Sequence, residues 1–399
     1  MQLSEYVELN PSVPLSKGTM VPFVPMDAVT PGNRWVHSPE QRPALGSGSR
    51  FAPGDTLFAR ITPCLENGKI SQYAGDRPGM GSTEFFTLRA REGIADPAFV
   101  YYFAQTRGLR AAAEKSMSGA TGRQRADISA LRDFKCVFPK LRVQQRVAGV
   151  LTAYDELIEN SQHRIRLLET LARALYREWF VHFRFPGHKA YRRVASPLGS
   201  IPQGWEVRPI PGCVAINPRV TVPRDGDKPF VPMGCLSNDL MIISDIESRA
   251  GNSGAKFQNG DTLFARITPC LENGKTGFVQ FLPDANAVAF GSTEFIVLRS
   301  LTLTPEFVYC LARSEEFRGV AIKSMSGATG RQRVQEQCFA DLKIAQPPPE
   351  LLGRFSAVVS PSFQLIHKLH LRIQNLRRTR DLLLPRLLSG QVNLKNDAA

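Results

Sequence analysis

The sequence has no run of apolar residues approaching the roughly 20 that a membrane-spanning helix needs. Its opening, MQLSEYVELNPSVPL, has neither the basic start nor the apolar stretch of a secretory leader. Neither export nor membrane insertion is expected, and the cytoplasm is the expected location. Histidine is scarce, and the six present (37, 163, 182, 188, 367 and 370) form no HExxH or Cys/His cluster, so no metal site is expected. His367 and His370 share a helix face at a spacing of three, which a solvated surface explains better than a ligand pair. Seven cysteines, at 64, 136, 213, 235, 270, 310 and 338, show no CxxC spacing and are odd in number, which predicts reduced thiols rather than a disulfide framework. No GxGxxG opens a helix after a strand. Gly274, Lys275 and Thr276 mimic the end of a phosphate loop, but the leading glycine would fall at Pro269 and the other copy of the segment has Ile70 for the threonine. The Asn/Asp-Pro-Pro-Tyr motif expected of an amino-methyltransferase is also missing. Non-catalytic chemistry is therefore expected, without a cofactor of the chain's own. Acidic residues are outnumbered, 36 against 50 Lys and Arg, a net charge of +14 that favours polyanionic partners, nucleic acid first and an anionic membrane surface second.

What the sequence has instead is a repeat. GDTLFARITPCLENGK runs from Gly54 to Lys69 and again, unchanged, from Gly260 to Lys275. GSTEF at 81–85 returns at 291–295, KSMSGATGRQR at 115–125 returns at 323–333, and PFVPM at 22–26 returns at 229–233. The offsets of 206, 210, 208 and 207 make the unit about half of the 399 residues, too long for a solenoid whose period is roughly 20 to 50. A duplicated domain follows, as the length of the chain already favours. Between shared blocks the halves diverge: 11 residues follow Lys69 before the next block, 15 follow Lys275, and Asp27 to Pro53 differs from Gly234 to Asn259. One scaffold with two sets of recognition loops accounts for this, and so does neutral drift of surface loops.

Within each half, short apolar runs such as Thr56 to Phe58 and Glu84 to Leu88, bounded by Gly, Pro and Asn, predict strands in hairpins. Pro97 to Thr106 and Pro305 to Arg313 predict short helices, giving an α+β domain. Each half then closes with a heptad seam. In the first it is Val147, Leu151, Tyr154, Ile158, Ser161, Ile165, Leu168, Ala172, Leu175 and Trp179; in the second it is Phe355, Val359, Ser362, Ile366, Leu369, Ile373, Leu376, Arg380, Leu383 and Leu387. Two long helices are predicted. Proline limits the second: its main part is expected to begin with Ser360 as N-cap and Pro361 in the first turn, to kink at Pro385 and to end at Gly390. Asp155, Glu156 and Glu159 near the start of the first helix and Arg372, Arg377, Arg378 and Arg380 toward the end of the second favour antiparallel pairing, with Asp155 level with Arg377. Solvated charged faces unrelated to pairing are the alternative.

Cys64 and Cys270 lie inside the unchanged block without a nearby histidine, so core packing is expected of them rather than nucleophilic chemistry. The binding chemistry concentrates in KSMSGATGRQR, where hydroxyls, glycines and basic side chains suit close approach to phosphates. The candidate DNA-binding residues are Lys115, Ser118, Thr121, Arg123, Gln124 and Arg125 in the first half, with Lys323, Ser326, Thr329, Arg331, Gln332 and Arg333 in the second. Arg and Gln are the side chains that favour guanine and adenine in the major groove. Arg60, Lys69, Arg266 and Lys275 join them, although Arg60 and Arg266 would serve equally to brace a hairpin. The alternative for the whole block is a glycine-rich turn with solvated charges.

Together the repeat, the two seams, REWFVHFRFPG at 177–187, SIPQGWEV at 200–207 and LLLPRLLSGQV at 382–392 resemble the specificity subunit of type I restriction-modification systems over nearly the whole chain. The resemblance implies two homologous target-recognition domains separated by two long helices forming an antiparallel coiled coil: residues 1–140 and 186–346 as recognition domains, 141–185 and 347–391 as spacer helices, and 392–399 as a polar tail. It implies a bipartite double-stranded DNA target, two adenine-methyltransferase subunits and two ATP-dependent restriction subunits as partners, and S-adenosylmethionine, ATP and magnesium bound by those partners. A helix of about 33 residues, on the order of 50 Å, exceeds one turn of B-DNA at about 34 Å, so the spacer would act as a ruler. The exposed Leu157 and Leu171 would lie on the face that docks the partners. The unusual likeness of the halves points to related half-sites. The alternative function is a stand-alone sequence-specific DNA-binding regulator.

Overall fold

The alternation of short, bounded apolar runs in each half produces two units in the computed structural model, which describes residues 1–328 and 330–392. One unit comprises residues 1–160 with the chain from 373 on, the other residues 161–372. In the first unit a five-stranded sheet has the order Val7–Leu9, Phe85–Ala90, Thr56–Ala59, Ile70–Tyr73, Trp35–Val36. A second, four-stranded sheet has the order Glu40–Pro43, Met20–Val24, Gly79–Gly81, Ser49–Phe51. Helices α1 (Pro97–Ala104), α2 (Arg107–Lys115) and α3 (Ile128–Arg132) follow the strands. Asp96 starts α1 as an N-cap, accepting from the Phe99 amide at 2.9 Å with proline in the first turn, as the sequence Asp-Pro prescribes.

The repeated blocks become the sheet centre. Thr56–Ala59 is buried along its length and pairs antiparallel with both Phe85–Ala90 and Ile70–Tyr73, while Asp55 ahead of it takes both arms of Arg89 at 2.8 and 2.7 Å. The second unit repeats this with Thr262–Ala265, Phe295–Ser300, Thr276–Phe278 and Val214–Ile216, and with Asp261 gripping Arg299 at 2.7 and 2.7 Å. Its four-stranded sheet has the order Glu247–Arg249, Lys228–Val231, Val288–Gly291, Ala255–Gln258. Long α4 (Leu141–Tyr176) lies between the repeats, α5 (Pro305–Arg313) and α6 (Glu315–Lys323) repeat α1 and α2, and α7 (Pro349–Leu388) closes the fold. The glycine of GSTEF is required by close approach: a Cβ on Gly81 would sit 2.5 Å from the Val24 carbonyl oxygen, and on Gly291 2.6 Å from that of Val231.

Most positions of both heptad seams are buried where they were read, and Tyr154, Leu168, Leu175, Ser362, Leu376 and Leu383 are half-buried. Val147, Leu151, Ile158, Ser161, Ile165, Ala172 and Trp179 are all at most 7% exposed, and so are Phe355, Val359, Ile366, Leu369, Ile373 and Leu387. In the first unit the opening turns of α4 share a core with the last turns of α7, through Val147, Leu151 and Leu387. In the second, Trp179 and Phe180, on the π-helical turn that follows α4, meet Phe355 at the start of α7. The helices are antiparallel. That turn belongs to REWFVHFRFPG, whose rings join Trp205 of SIPQGWEV and Phe307 in one aromatic cluster. The chain is thus α+β, with two repeats of one domain and two long antiparallel helices.

Three expectations are corrected. Helix α7 begins at Pro349, not Pro361, and runs on through Pro361 and Pro385. Pro361 is on the exposed face, as is Ala357, whose carbonyl loses its helical partner on the solvent side, and the apolar seam outweighs that loss. Gly390 ends the helix with φ 71°, the expected left-handed stop. Asp155 pairs with Arg380, not Arg377, because Arg380 occupies a buried seam position while Arg377 reaches Asn33 at 2.9 Å. Cys64 and Cys270 are half-buried and outside the core, since their segment coils back on itself as a turn, with the Lys69 and Lys275 amides bonding to their carbonyls at 3.0 Å. Of the tail expected at 392–399, residues 393–399 lie outside the described residues.

Candidate nucleic-acid interface

KSMSGATGRQR folds as a hairpin after α2. Ser118 and Arg125 exchange backbone hydrogen bonds of 3.0 and 2.9 Å, and the Arg123 amide closes the tip onto the Ala120 carbonyl at 2.9 Å. Gly119 at φ 119° and Gly122 at φ 79° take backbone conformations that an L side chain resists, which is why the block needs both. In the second unit Ser326, Arg333, Arg331 and Ala328 make the same bonds, with Gly327 at φ 123° and Gly330 at φ 80°. Thr329 lies outside the described residues. Each hairpin is fastened to the repeated block by its base: the Thr62 amide donates to the Gln124 carbonyl at 3.0 Å and the Ala126 amide to the Arg60 carbonyl at 2.8 Å, matched by Thr268 with Gln332 and Val334 with Arg266.

The side chains divide into three groups. Arg123 and Arg331 at the tips are exposed, and among the described residues their guanidinium groups have no hydrogen-bond or ion-pair partner. Ser118, Thr121, Lys115, Ser326 and Lys323 are also exposed, and Gln124 and Gln332 are half-buried. Arg125 and Arg333 form the second group. Glu84 takes Arg125 at 2.6 to 3.0 Å, and Glu294 takes Arg333 at 2.7 to 3.0 Å. The hydrogen bond from Arg125 holds the Glu84 carboxyl below the usual carboxylate range, and Arg333 does the same to Glu294. Both arginines remain about half exposed, so each is a positioned cation at the foot of a hairpin.

Lys69, Lys275, Arg60 and Arg266 form the third group and face inward. The Lys69 amine donates to the Met26 carbonyl at 2.9 Å, and Lys275 to the carbonyls of Leu236 at 2.7 Å and Met233 at 3.3 Å. Arg60 reaches Glu84 at 3.4 Å, whereas Arg266 turns to Glu336 at 2.7 Å and to the Val334 carbonyl at 3.1 Å. The difference comes from outside the repeated block: the residue matching Glu336 at offset 208 is Ile128. The structure therefore gathers the described residues of 118–125 and 326–333 on two matching hairpins, leaves Lys115 and Lys323 at the last residues of α2 and α6, and leaves the other four as braces. Sequence reasoning missed Glu84 and Glu294, although their place in the shared GSTEF was a signal. Among the described residues no cluster of His, Cys, Asp and Glu could hold a metal ion, and no helix is long and apolar enough to cross a membrane.

No family model matches the chain. It is 24% identical over 321 residues to the type I restriction enzyme MjaIX specificity subunit of Methanocaldococcus jannaschii, a match covering 78% of this chain and 72% of that protein. It is 27% identical over 259 residues to the type I restriction enzyme EcoEI specificity subunit of Escherichia coli, covering 61% of this chain and 42% of that one. Among solved structures, the S subunit of the type I restriction-modification system from M. genitalium shares the fold, with a TM-score of 0.53 and 14% identity over 97% of this chain and 95% of that chain. In sequence the chain is thus similar to type I restriction enzyme specificity subunits, and in fold to the S subunit of such a system.

Proposed function

We propose that this chain is the non-catalytic DNA-recognition subunit of a type I restriction-modification complex. It reads a bipartite double-stranded site, one half with residues 1–140 and the other with 186–346, and directs two adenine-methyltransferase subunits, together with ATP-dependent restriction subunits, to that site in the cytoplasm. The observation that carries this reading is the matched pair of hairpins, each presenting at its tip an exposed arginine without a partner among the described residues, and a carboxylate-held arginine at its foot. A planar guanidinium offers paired donors to phosphate oxygens or to the guanine edge, and a chain of net charge +14 adds the long-range attraction. Because the hairpins are identical in sequence, the two half-sites share bases and the interrupted target is near-palindromic. The relatives named above are specificity subunits, which supports a complex over a stand-alone regulator.

The test is a genome-wide map of adenine methylation by single-molecule sequencing, with and without the gene. Loss of one bipartite motif on deletion is expected, and the motif itself displays both half-sites. An unchanged map in a strain with active methyltransferase subunits overturns the proposal, and binding of one site by the chain alone would favour the regulator. Two unrelated half-sites would sink the near-palindrome.

A further inference from the structure

The repeat supplies an internal comparison in the region where the halves diverge. Between Asp27 and Gly46, aligned at offset 207 with Gly234 to Ser253, only two residues are identical: Glu40 with Glu247, and Arg42 with Arg249. Both pairs lie on the edge strand of a four-stranded sheet, Glu40–Pro43 in one unit and Glu247–Arg249 in the other. The register is also the same, Glu40 opposite Phe23 and Glu247 opposite Phe230. The guanidinium of Arg42 covers the Phe23 ring at 3.8 Å, and that of Arg249 covers Phe230 at 3.9 Å. Glu40 holds one nitrogen of Arg42 at 2.7 Å, and Glu247 one of Arg249 at 2.8 Å.

Stability does not explain this recurrence. The arginine side chains are 51% and 53% exposed, and ion pairs and cation–π contacts at such sites add little to a fold. What the arrangement does is fix a guanidinium: one face lies on a ring, one nitrogen is on a carboxylate, and the remaining donors have no partner among the described residues. In the first unit a groove of about 400 Å³ runs from Phe23 and Arg42 to Ser82 and Thr83, the residues that lead into Glu84 and so to the hairpin foot.

We propose that Arg42 and Arg249 are DNA-contacting residues, one per recognition domain, each presenting a fixed guanidinium to the same element of its half-site. This inference rests on the DNA-recognition reading above. A planar cation that keeps its donors in a fixed fork matches phosphate oxygens or the O6 and N7 of guanine. The edge strand would then form a second contact, separate from the hairpin and outside the segments that sequence reading selected.

The experiment measures binding of a duplex carrying the mapped site by fluorescence anisotropy across a salt series, using the full chain co-purified with its methyltransferase subunits. Arg42→Ala and Arg249→Ala are each expected to weaken binding at least tenfold, and the double variant more. A drop of about one in the log–log salt slope per arginine, with rescue by Arg42→Lys, marks a phosphate contact. Loss of discrimination at one base pair of the matching half-site, without rescue by lysine, marks a base contact. Arg42→Met keeps the aliphatic cover on Phe23 without the charge and must bind as weakly as Arg42→Ala with an unchanged melting curve. Alanine and methionine variants within twofold of a wild type that binds its site overturn this inference alone. A wild-type complex that fails to bind any site overturns the DNA-recognition reading, and the inference with it.

Discussion

Replacing Asp155 with alanine should loosen the first repeated domain from the helices that carry it. Asp155 and Arg380 are 4% and 8% exposed and form an ion pair; Asp155 also accepts from the Tyr102 hydroxyl at 2.5 Å, and Arg34 joins Tyr102 to Thr152 and Gln72. Burial works against the Arg380 charge, but Asp155 beside it more than offsets this and leaves its pKa raised. Burial, then the same carboxylate, pushes the Tyr102 hydroxyl up. Breaking a buried pair by removing one partner costs about 3 to 5 kcal/mol. Arg380 would keep the Gly32 carbonyl at 3.0 Å and the exposed Asp381, so the lower end applies, about 3 kcal/mol. At about 1.4 kcal/mol per decade that is some two decades of amide protection. The assay is hydrogen exchange of peptides covering α1, which carries Tyr102. Helix offsets supply the control: the positions matching Asp155, Arg380 and Arg34 in the other half are Phe363, Ala172 and Met241, all buried. Copying them, as Asp155→Phe with Arg380→Ala and Arg34→Met, removes every charge at once and should cost less than Asp155→Ala alone. A loss under about 1 kcal/mol for Asp155→Ala, or a triple variant at least as costly as the single one, would refute the reasoning.

Three further outcomes follow from the geometry. Arg123→Ala and Arg331→Ala should weaken DNA binding evenly across sequences and each lower the salt slope by about one, if the tips lie on phosphates, as a filter-binding salt series would report. Pro361→Ala should raise stability by about 1 to 3 kcal/mol by restoring a helical hydrogen bond on the exposed face; a lower melting temperature would contradict this. Because the Glu84 and Glu294 carboxyls are held below their usual range, their contribution to anchoring the hairpins is complete above the unfolded-state value and is lost only as pH falls through the lower folded value. Side-chain NMR of Arg125 and Arg333 should therefore still show the pairs intact where free carboxylates are already half protonated.

The repeat, both seams and the antiparallel pairing were legible in the sequence because each rests on a periodic or repeated pattern that burial enforces. Val147 to Trp179 and Phe355 to Leu387 could occupy only one side of a helix. The partner of Asp155 was not legible, since charge matching along two helices leaves a turn of freedom and only packing puts Arg380 in the seam. Nor could Pro361 show that it would be spanned: propensity stops a helix there, while 40 residues of α7 carry it through.

A deeper limit appears where identical sequence meets different surroundings. Arg60 and Arg266 sit in the same unchanged block, yet one joins Glu84 and the other is drawn to Glu336, a residue outside the block. Asp155 and Phe363 occupy matching places on two helices, and one carries a buried polar network where the other carries ring contacts with Phe278 and Tyr309. The bonds that recur in both halves close within one domain: Asp55 with Arg89, the hairpin turn, Glu84 with Arg125. Those whose partners lie on the long helices have diverged. Each repeated domain of this chain is thus fitted chemically to its own stretch of helix, Arg34 and Tyr102 to Asp155 in one case, Tyr309 and the Met241 amide to Glu169 in the other. An exchange of the two domains would take Arg34 and Tyr102 away from Asp155 and set them against the helix positions of Phe363 and Ala172, so each domain is matched to its own stretch of helix by packing as well as by chain order.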